Sequence, residues 1–176
     1  MQDTLPIHFA PLQGYTEAIY RNAHDAFFGG VDTYYTPFVR LEKGNFRRRD
    51  VRGIEPENNG VTHLIPQLIA SSAEKAEVIL SLFIEKGYQE VDINLGCPFP
   101  LLAKRHNGSG ILPYPEEVKA LLSIVTRYPQ ISFSVKMRLG WEQPDECLAL
   151  APILNDLPLR QITMHPRLGK QGYKGE

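Results

Sequence analysis

Cysteine is scarce in this chain, and so is any long apolar run. Cys97 and Cys147 are the only thiols among 176 residues, too few and too isolated for a disulfide framework or a zinc-type ligand cluster. No metal site is expected, and a reducing cytoplasm is the simplest setting. No apolar stretch is long enough to span a bilayer, and Met1-Gln2-Asp3-Thr4 carries neither the basic nor the apolar region of a signal peptide. Neither sign of charge is in excess: 19 Lys and Arg against 20 Asp and Glu leave a net charge of −1. No global field therefore recruits nucleic acid, and any such binding must rest on a local basic patch. Two cofactor signatures are also missing. Ala10-Pro11-Leu12-Gln13-Gly14, after the first strand, is not a Gly-rich dinucleotide fingerprint, and no Walker-type phosphate loop occurs.

What is present is an alternation of short apolar runs and helical patterns. Strands are expected at Ile7–Ala10, Thr33–Thr36, Leu64–Ile69, Glu90–Leu95, Ser132–Lys136 and Gln161–His165. Between the third and fourth, Ser71 and Glu74 read as a capping box, Ala76, Ile79, Leu80 and Phe83 form one stripe, and Gly87 stops the helix. Between the fourth and fifth, Pro115 suits a first helical turn, and Val118, Leu121, Leu122 and Val125 recur at helical spacing. Thr16 is expected to cap a helix carrying Ile19, Ala23 and Phe27, and Glu146–Leu154 reads as a helix kinked or broken near Pro152. Leu41–Gly60 and Phe99–Pro113 read as irregular stretches after strand ends.

Units of about thirty residues imply a parallel sheet with crossover helices. An open sheet and a barrel both fit; side-chain parity decides between them. Asp92 and Asn94 share one face of their strand, opposite Val91, Ile93 and Leu95. Ser134, Lys136 and Arg138 oppose Phe133, Val135 and Met137, and Gln161, Thr163 and His165 oppose Ile162 and Met164. A barrel packs the apolar face on helices and turns the polar face inward to a site.

The chemistry gathers at strand ends. Glu90-Val91-Asp92-Ile93 runs into Asn94-Leu95-Gly96-Cys97-Pro98, which holds a thiol in a glycine–proline turn at a strand tip. A lone cysteine is most often a small buried hydrophobe. Here Lys136, Arg138 and His165 end the next two strands. A lone lysine would be read as a salt-bridge partner, but two cations and an imidazole beside an asparagine and a thiol point to an electron-rich ligand. A reduced flavin fits, because a lysine stabilises the negative charge on its ring system, and Gln67 offers amide hydrogen bonds. Arg47, Arg48, Arg49 and Arg52 form a basic run whose default reading is a solvated loop; with Lys104, Arg105, Arg138, Arg167, Lys170 and Lys174 it makes a basic rim at the strand ends. Tyr114 and Tyr173 are candidates for base stacking.

Ala10-Pro11-Leu12-Gln13-Gly14-Tyr15-Thr16, Pro66-Gln67-Leu68, Asp92-Ile93-Asn94-Leu95-Gly96-Cys97-Pro98, Val135-Lys136-Met137-Arg138-Leu139-Gly140 and Met164-His165-Pro166-Arg167 occur in the order seen in tRNA-dihydrouridine synthases, and the chain resembles that family over nearly its whole length. The resemblance implies a TIM barrel that binds FMN and reduces the C5–C6 double bond of uridines in tRNA with NADPH. It implies that Pro11, Leu12 and Gln13 line the flavin largely through backbone, and that Gln67, Lys136 and His165 contact its ring or ribityl chain. Cys97 is implied as the general acid at C5, and Asn94 and Arg138 as the residues that hold the uracil. Leu12 and Gln13 depart from a common methionine and a small or acidic residue, and Ser109 from a common alanine.

The expected fold is thus α/β, an incomplete (β/α)8 TIM barrel with about six β/α units. Residues 1–176 are expected to be a partial catalytic domain without the last two units and the C-terminal helical tRNA-binding domain. Gly172-Tyr173-Lys174-Gly175-Glu176 would be the loop after the sixth strand, and open barrel edges would favour self-association. Alternatives are another FMN barrel of the dihydroorotate dehydrogenase type and a non-catalytic RNA-binding remnant.

Overall fold

Proline explains the one interruption in an otherwise continuous parallel sheet. In the computed structural model, which describes residues 5–174, the strands are β1 (His8–Phe9), β2 (Thr33–Tyr35), a hairpin of β3 (Leu41–Glu42) and β4 (Asn45–Phe46), then β5 (Leu64–Ile65), β6 (Gln67–Leu68), β7 (Glu90–Leu95), β8 (Ser132–Gly140) and β9 (Leu159–Leu168). Met1–Thr4 and Gly175–Glu176, read above for a leader and for the end of a loop, lie outside the described residues. β5 and β6 are two halves of one expected strand. Pro66 between them has no N–H to give a ladder, yet its carbonyl accepts from Asp92 N at 3.0 Å. β1 pairs with β2 and β2 with β5, while β6 pairs with β7, β7 with β8 and β8 with β9, all parallel. Past Pro37 the second strand resumes at Val39, whose N–H donates to Gln67 O at 2.8 Å. Six neighbouring strand positions thus follow one another in chain order. The fold is an incomplete (β/α)8 barrel.

The helices are α1 (Ala18–Phe27), α2 (Arg48–Ile54), α3 (Ala73–Glu85), α4 (Pro100–Ala103), α5 (Pro115–Arg127) and α6 (Glu146–Asn155). The core lies between sheet and helices. Val91, Ile93 and Leu95 of β7 and Phe133, Val135 and Met137 of β8 are buried with Ile79, Leu80 and Phe83 of α3 and Val118, Leu121, Leu122 and Val125 of α5. Each such side chain contributes about 1.5–3 kcal/mol of apolar burial, and this outer face is the one that parity assigned to it.

Several local expectations need correction. Thr16 does not cap α1: its hydroxyl accepts from Leu12 N at 2.8 Å and closes the turn Leu12–Thr16, while Glu17 takes the N-cap position. The helix does carry Ile19, Ala23 and Phe27; Ile19 and Phe27 are 83% and 84% exposed, β1 being the end strand of the described sheet, and α1 packs through Ala18 and Arg21. Ser72, not Ser71, caps α3, accepting from Lys75 N, and Ser71 instead accepts from the Lys75 ammonium. α6 continues through Pro152. Leu41–Gly60 contains the β3–β4 hairpin, α2 and a 3-10 turn at Pro56–Asn58, and Phe99–Pro113 contains α4 and a 3-10 turn at Gly108–Ile111. Short elements of this kind carry too few periodic residues to announce themselves.

Candidate active site

Gly96-Cys97-Pro98 leaves the tip of β7 under tight control. Asn94 Oδ1 accepts from Gly96 N at 3.0 Å and Cys97 N at 2.8 Å, so the asparagine folds the chain over itself. Cys97 O accepts from Ser109 N and from Ser109 Oγ, both at 3.0 Å. Ser109 thus ties the far end of the loop to the cysteine. Gly108 permits this approach: its φ is +59°, and a Cβ there would lie 2.5 Å from Cys97 O. Gly108→Ala is expected to destabilise the fold by about 1–3 kcal/mol from backbone strain alone, and to speed alkylation of Cys97. Urea unfolding and iodoacetamide kinetics check both effects.

Burial raises the Cys97 pKa, against smaller opposing effects of a Phe99 backbone N–H and the Arg138 and Arg40 charges. The thiol is therefore protonated at neutral pH and suited to giving up a proton.

Every residue expected at the site lines one cavity of about 370 Å³: Pro11, Leu12 and Gln13 after β1, Gln67 on β6, Asn94 and Cys97 at the end of β7, Lys136 and Arg138 on β8, and His165 on β9. Register produces this convergence, with Asn94 beside Lys136 and Arg138 beside His165. Lys136 and His165 make no hydrogen bond or ion pair among the described residues, so their polar ends are available to a ligand. Burial lowers the Lys136 pKa, opposed by Asp92 and reinforced by Arg138. It also lowers that of His165, with Arg138, Lys136 and Arg167 adding repulsion, which favours a neutral imidazole at neutral pH. Gln13 Oε1 is buried without a partner. An ammonium donor, an imidazole and an orphaned amide oxygen around one cavity fit an electron-rich heterocycle with its own N–H groups, as a flavin is.

The remaining site residues are largely engaged with the protein itself. Gln67 Nε2 donates to Asp92 Oδ2 at 2.6 Å, and Gln67 Oε1 accepts from Asn94 Nδ2 at 2.7 Å. Arg138 is buried; its Nε donates to Gly96 O at 2.9 Å, and its Nη1 donates to Leu168 O at 2.9 Å and Gly172 O at 2.8 Å. Tyr173 lies under its guanidinium at 5.6 Å. Asn94 keeps one amide hydrogen and Arg138 keeps Nη2 for a ligand.

A neighbouring cavity of about 790 Å³ shares Leu12, Gln13, Phe38, Cys97 and Tyr173 with the first and is also lined by Phe99, Trp141, Arg40, Arg47 and Lys170. Phe38, Arg40 and Trp141 escaped the sequence reading. The available signal was that they follow the ends of β2 and β8, on the side where Cys97 follows β7. Tyr114 lines neither cavity and stacks on His106 at 4.1 Å. The basic rim is partly neutralised: Arg47 pairs with Glu42, which also holds Arg40, Arg49 pairs with Glu17 and Asp50, and Lys170 with Glu142. Lys104 and Arg105 are exposed, without an ion pair among the described residues.

The model of the family described as "Dihydrouridine synthase" matches residues 8–176. The chain belongs to the dihydrouridine synthase family. It is 29% identical over 173 residues to "Probable tRNA-dihydrouridine synthase 1" of Synechocystis sp., covering 94% of this chain and 46% of that protein. It is 28% identical over 180 residues to "tRNA-dihydrouridine(16) synthase" of Haemophilus ducreyi, covering 97% of this chain and 54% of that one. Against "tRNA-dihydrouridine synthase B" of Vibrio cholerae it is 32% identical over 112 residues, 63% of this chain and 33% of the relative. The chain thus spans about half the length, or less, of these curated relatives. Among the described residues no helix is long and apolar enough to cross a membrane.

Proposed function

We propose that this chain carries the catalytic face of a cytoplasmic enzyme that reduces uridines in tRNA to 5,6-dihydrouridine, with FMN as cofactor and NADPH as reductant. The observation that supports it most is the cavity that gathers a protonated thiol with the unpartnered Lys136 and His165. In this reading residues 1–176 are the catalytic portion of a barrel that two further strand-helix units complete.

Pro11 and Leu12 line the flavin through backbone, and Gln13 adds its orphaned acceptor. Gln67, Lys136 and His165 face the ring system or ribityl chain, with Lys136 balancing negative charge. FMN, when bound and reduced, supplies the hydride that uracil takes at C6. Asn94, through its free amide hydrogen, and Arg138, through Nη2, hold the pyrimidine by its polar edge. Cys97 gives its proton to C5, and the resulting thiolate recovers a proton from solvent. Reduction of bulk unmodified tRNA by the full-length protein tests this reading. Turnover of free dihydroorotate without tRNA reduction would favour the dihydroorotate dehydrogenase type, and RNA binding without either reaction would favour the remnant.

The ion pairs narrow the rim that serves tRNA phosphates. Lys104 and Arg105 carry more of that role than Arg47 and Arg49, which already face carboxylates. Neutral substitution at Lys104 and Arg105 is expected to weaken tRNA binding and flatten its salt dependence by about one counterion per lost phosphate contact. Flavin content stays constant. A binding titration at several salt concentrations checks this, and an unchanged slope would make these residues ordinary solvated cations.

A further inference from the structure

Asp92 is buried in the barrel interior, two residues before Asn94 on the same face of β7, and the chemistry above makes no use of it. Its carboxylate accepts from Ser134 Oγ at 2.5 Å through Oδ1 and from Gln67 Nε2 at 2.6 Å through Oδ2. Gln67 Oε1 accepts from Asn94 Nδ2 at 2.7 Å, and Asn94 Oδ1 accepts from the N–H groups of Gly96 and Cys97. These links form one directed chain from the barrel interior to the thiol turn.

Direction matters because either carboxamide can turn over with little change of shape. The N–H groups of Gly96 and Cys97 are fixed donors, so Asn94 must meet them with its oxygen. Gln67 must then meet Asn94 with its own oxygen and present its NH₂ to the far side. A carboxylate there can only accept, so it admits one orientation of the chain. A reversed Gln67 would set two NH₂ groups against each other and release Asn94 from the turn. We propose that Asp92 is a positioning residue that holds the Cys97 turn through Gln67 and Asn94. Lys136 lies beside Asn94 in the sheet and adds a counter-charge to the same carboxylate.

Thiol reactivity tests this independently of turnover, so failure of the inference and failure of the proposed activity are distinguishable. In full-length protein carrying Cys147→Ser, only Cys97 of this chain is available to iodoacetamide. Asp92→Leu is expected to raise the alkylation rate about tenfold, the factor that one lost buried hydrogen bond gives. Asn94→Ala should produce a similar rise, and the double variant should react no faster than either single one, because both act on the same turn. Hydrogen exchange should quicken at Gly96 and Cys97 while α3 and α5 stay protected, which general destabilisation would not produce. Asp92→Asn, which retains an acceptor, should react at an intermediate rate and carries the test if Asp92→Leu does not fold. Alkylation at the parent rate in the Asp92 variants, or multiplying effects in the double variant, would overturn the inference.

Discussion

Replacing Cys97 with alanine in the full-length protein is expected to lower dihydrouridine formation by ~10²–10⁴-fold, the usual worth of a positioned general acid. FMN binding and flavin reduction by NADPH should persist, because Lys136, His165 and Gln13 reach the cavity from other segments of the chain. The pH dependence follows from burial of the thiol, which raises its pKa. The acid form is fully present below that raised value and is lost as pH rises through it. Activity should therefore hold through neutrality and fall only above the ordinary thiol value of about 8.5. Single-turnover rates across pH check this, and the alkaline limb should be missing from Cys97→Ala. Near-parental turnover in that variant would remove Cys97 from the chemistry.

The second large effect concerns the chain by itself. β1 and β9 are the end strands of the described sheet, each with a row of backbone donors and acceptors on its outer edge. Apolar side chains lie beside both. Ile162 and Met164 on β9 are 41% and 39% exposed, and Ile19 and Phe27 on α1, with Phe28 just after it, are mostly exposed. The isolated 176-residue chain is expected to associate through these edges and to retain FMN weakly, since phosphate in this fold is frequently held by the loops after strands seven and eight. A protein extended by two further strand-helix units should be monodisperse and yellow. Light scattering coupled to flavin absorbance distinguishes these outcomes. A 176-residue monomer with stoichiometric FMN would mean that the barrel closes in some other way.

The placement of the candidate site residues was legible because it rests on period-two alternation, which survives in the order of residues. Asn94, Lys136, Arg138 and His165 could be placed on one face from parity, and the sheet register puts them side by side. What could not be read was commitment. Nothing in the spacing of Arg138 tells that its Nε and Nη1 serve three backbone carbonyls, or that Gln67 spends its amide on Asp92 and Asn94. Such partners come from distant segments, and they depend on side-chain rotamers that sequence periodicity does not encode. The same holds for the basic run: helix α2 turns Arg49 toward Glu17, a pairing that only the tertiary fold creates. Four histidines find partners that their sequence neighbours do not supply: His8 meets the Tyr35 hydroxyl, His24 that of Tyr34, His63 Glu90 and His106 Glu117.

The most direct test of the central claim is nucleoside mass spectrometry of unmodified bulk tRNA incubated with the full-length protein, FMN and NADPH. The account predicts dihydrouridine in the tRNA digest, dependent on both FMN and Cys97, and no oxidation of free dihydroorotate in a parallel reaction. Protein that binds and reduces its flavin, leaves every uridine intact and turns over dihydroorotate would contradict it.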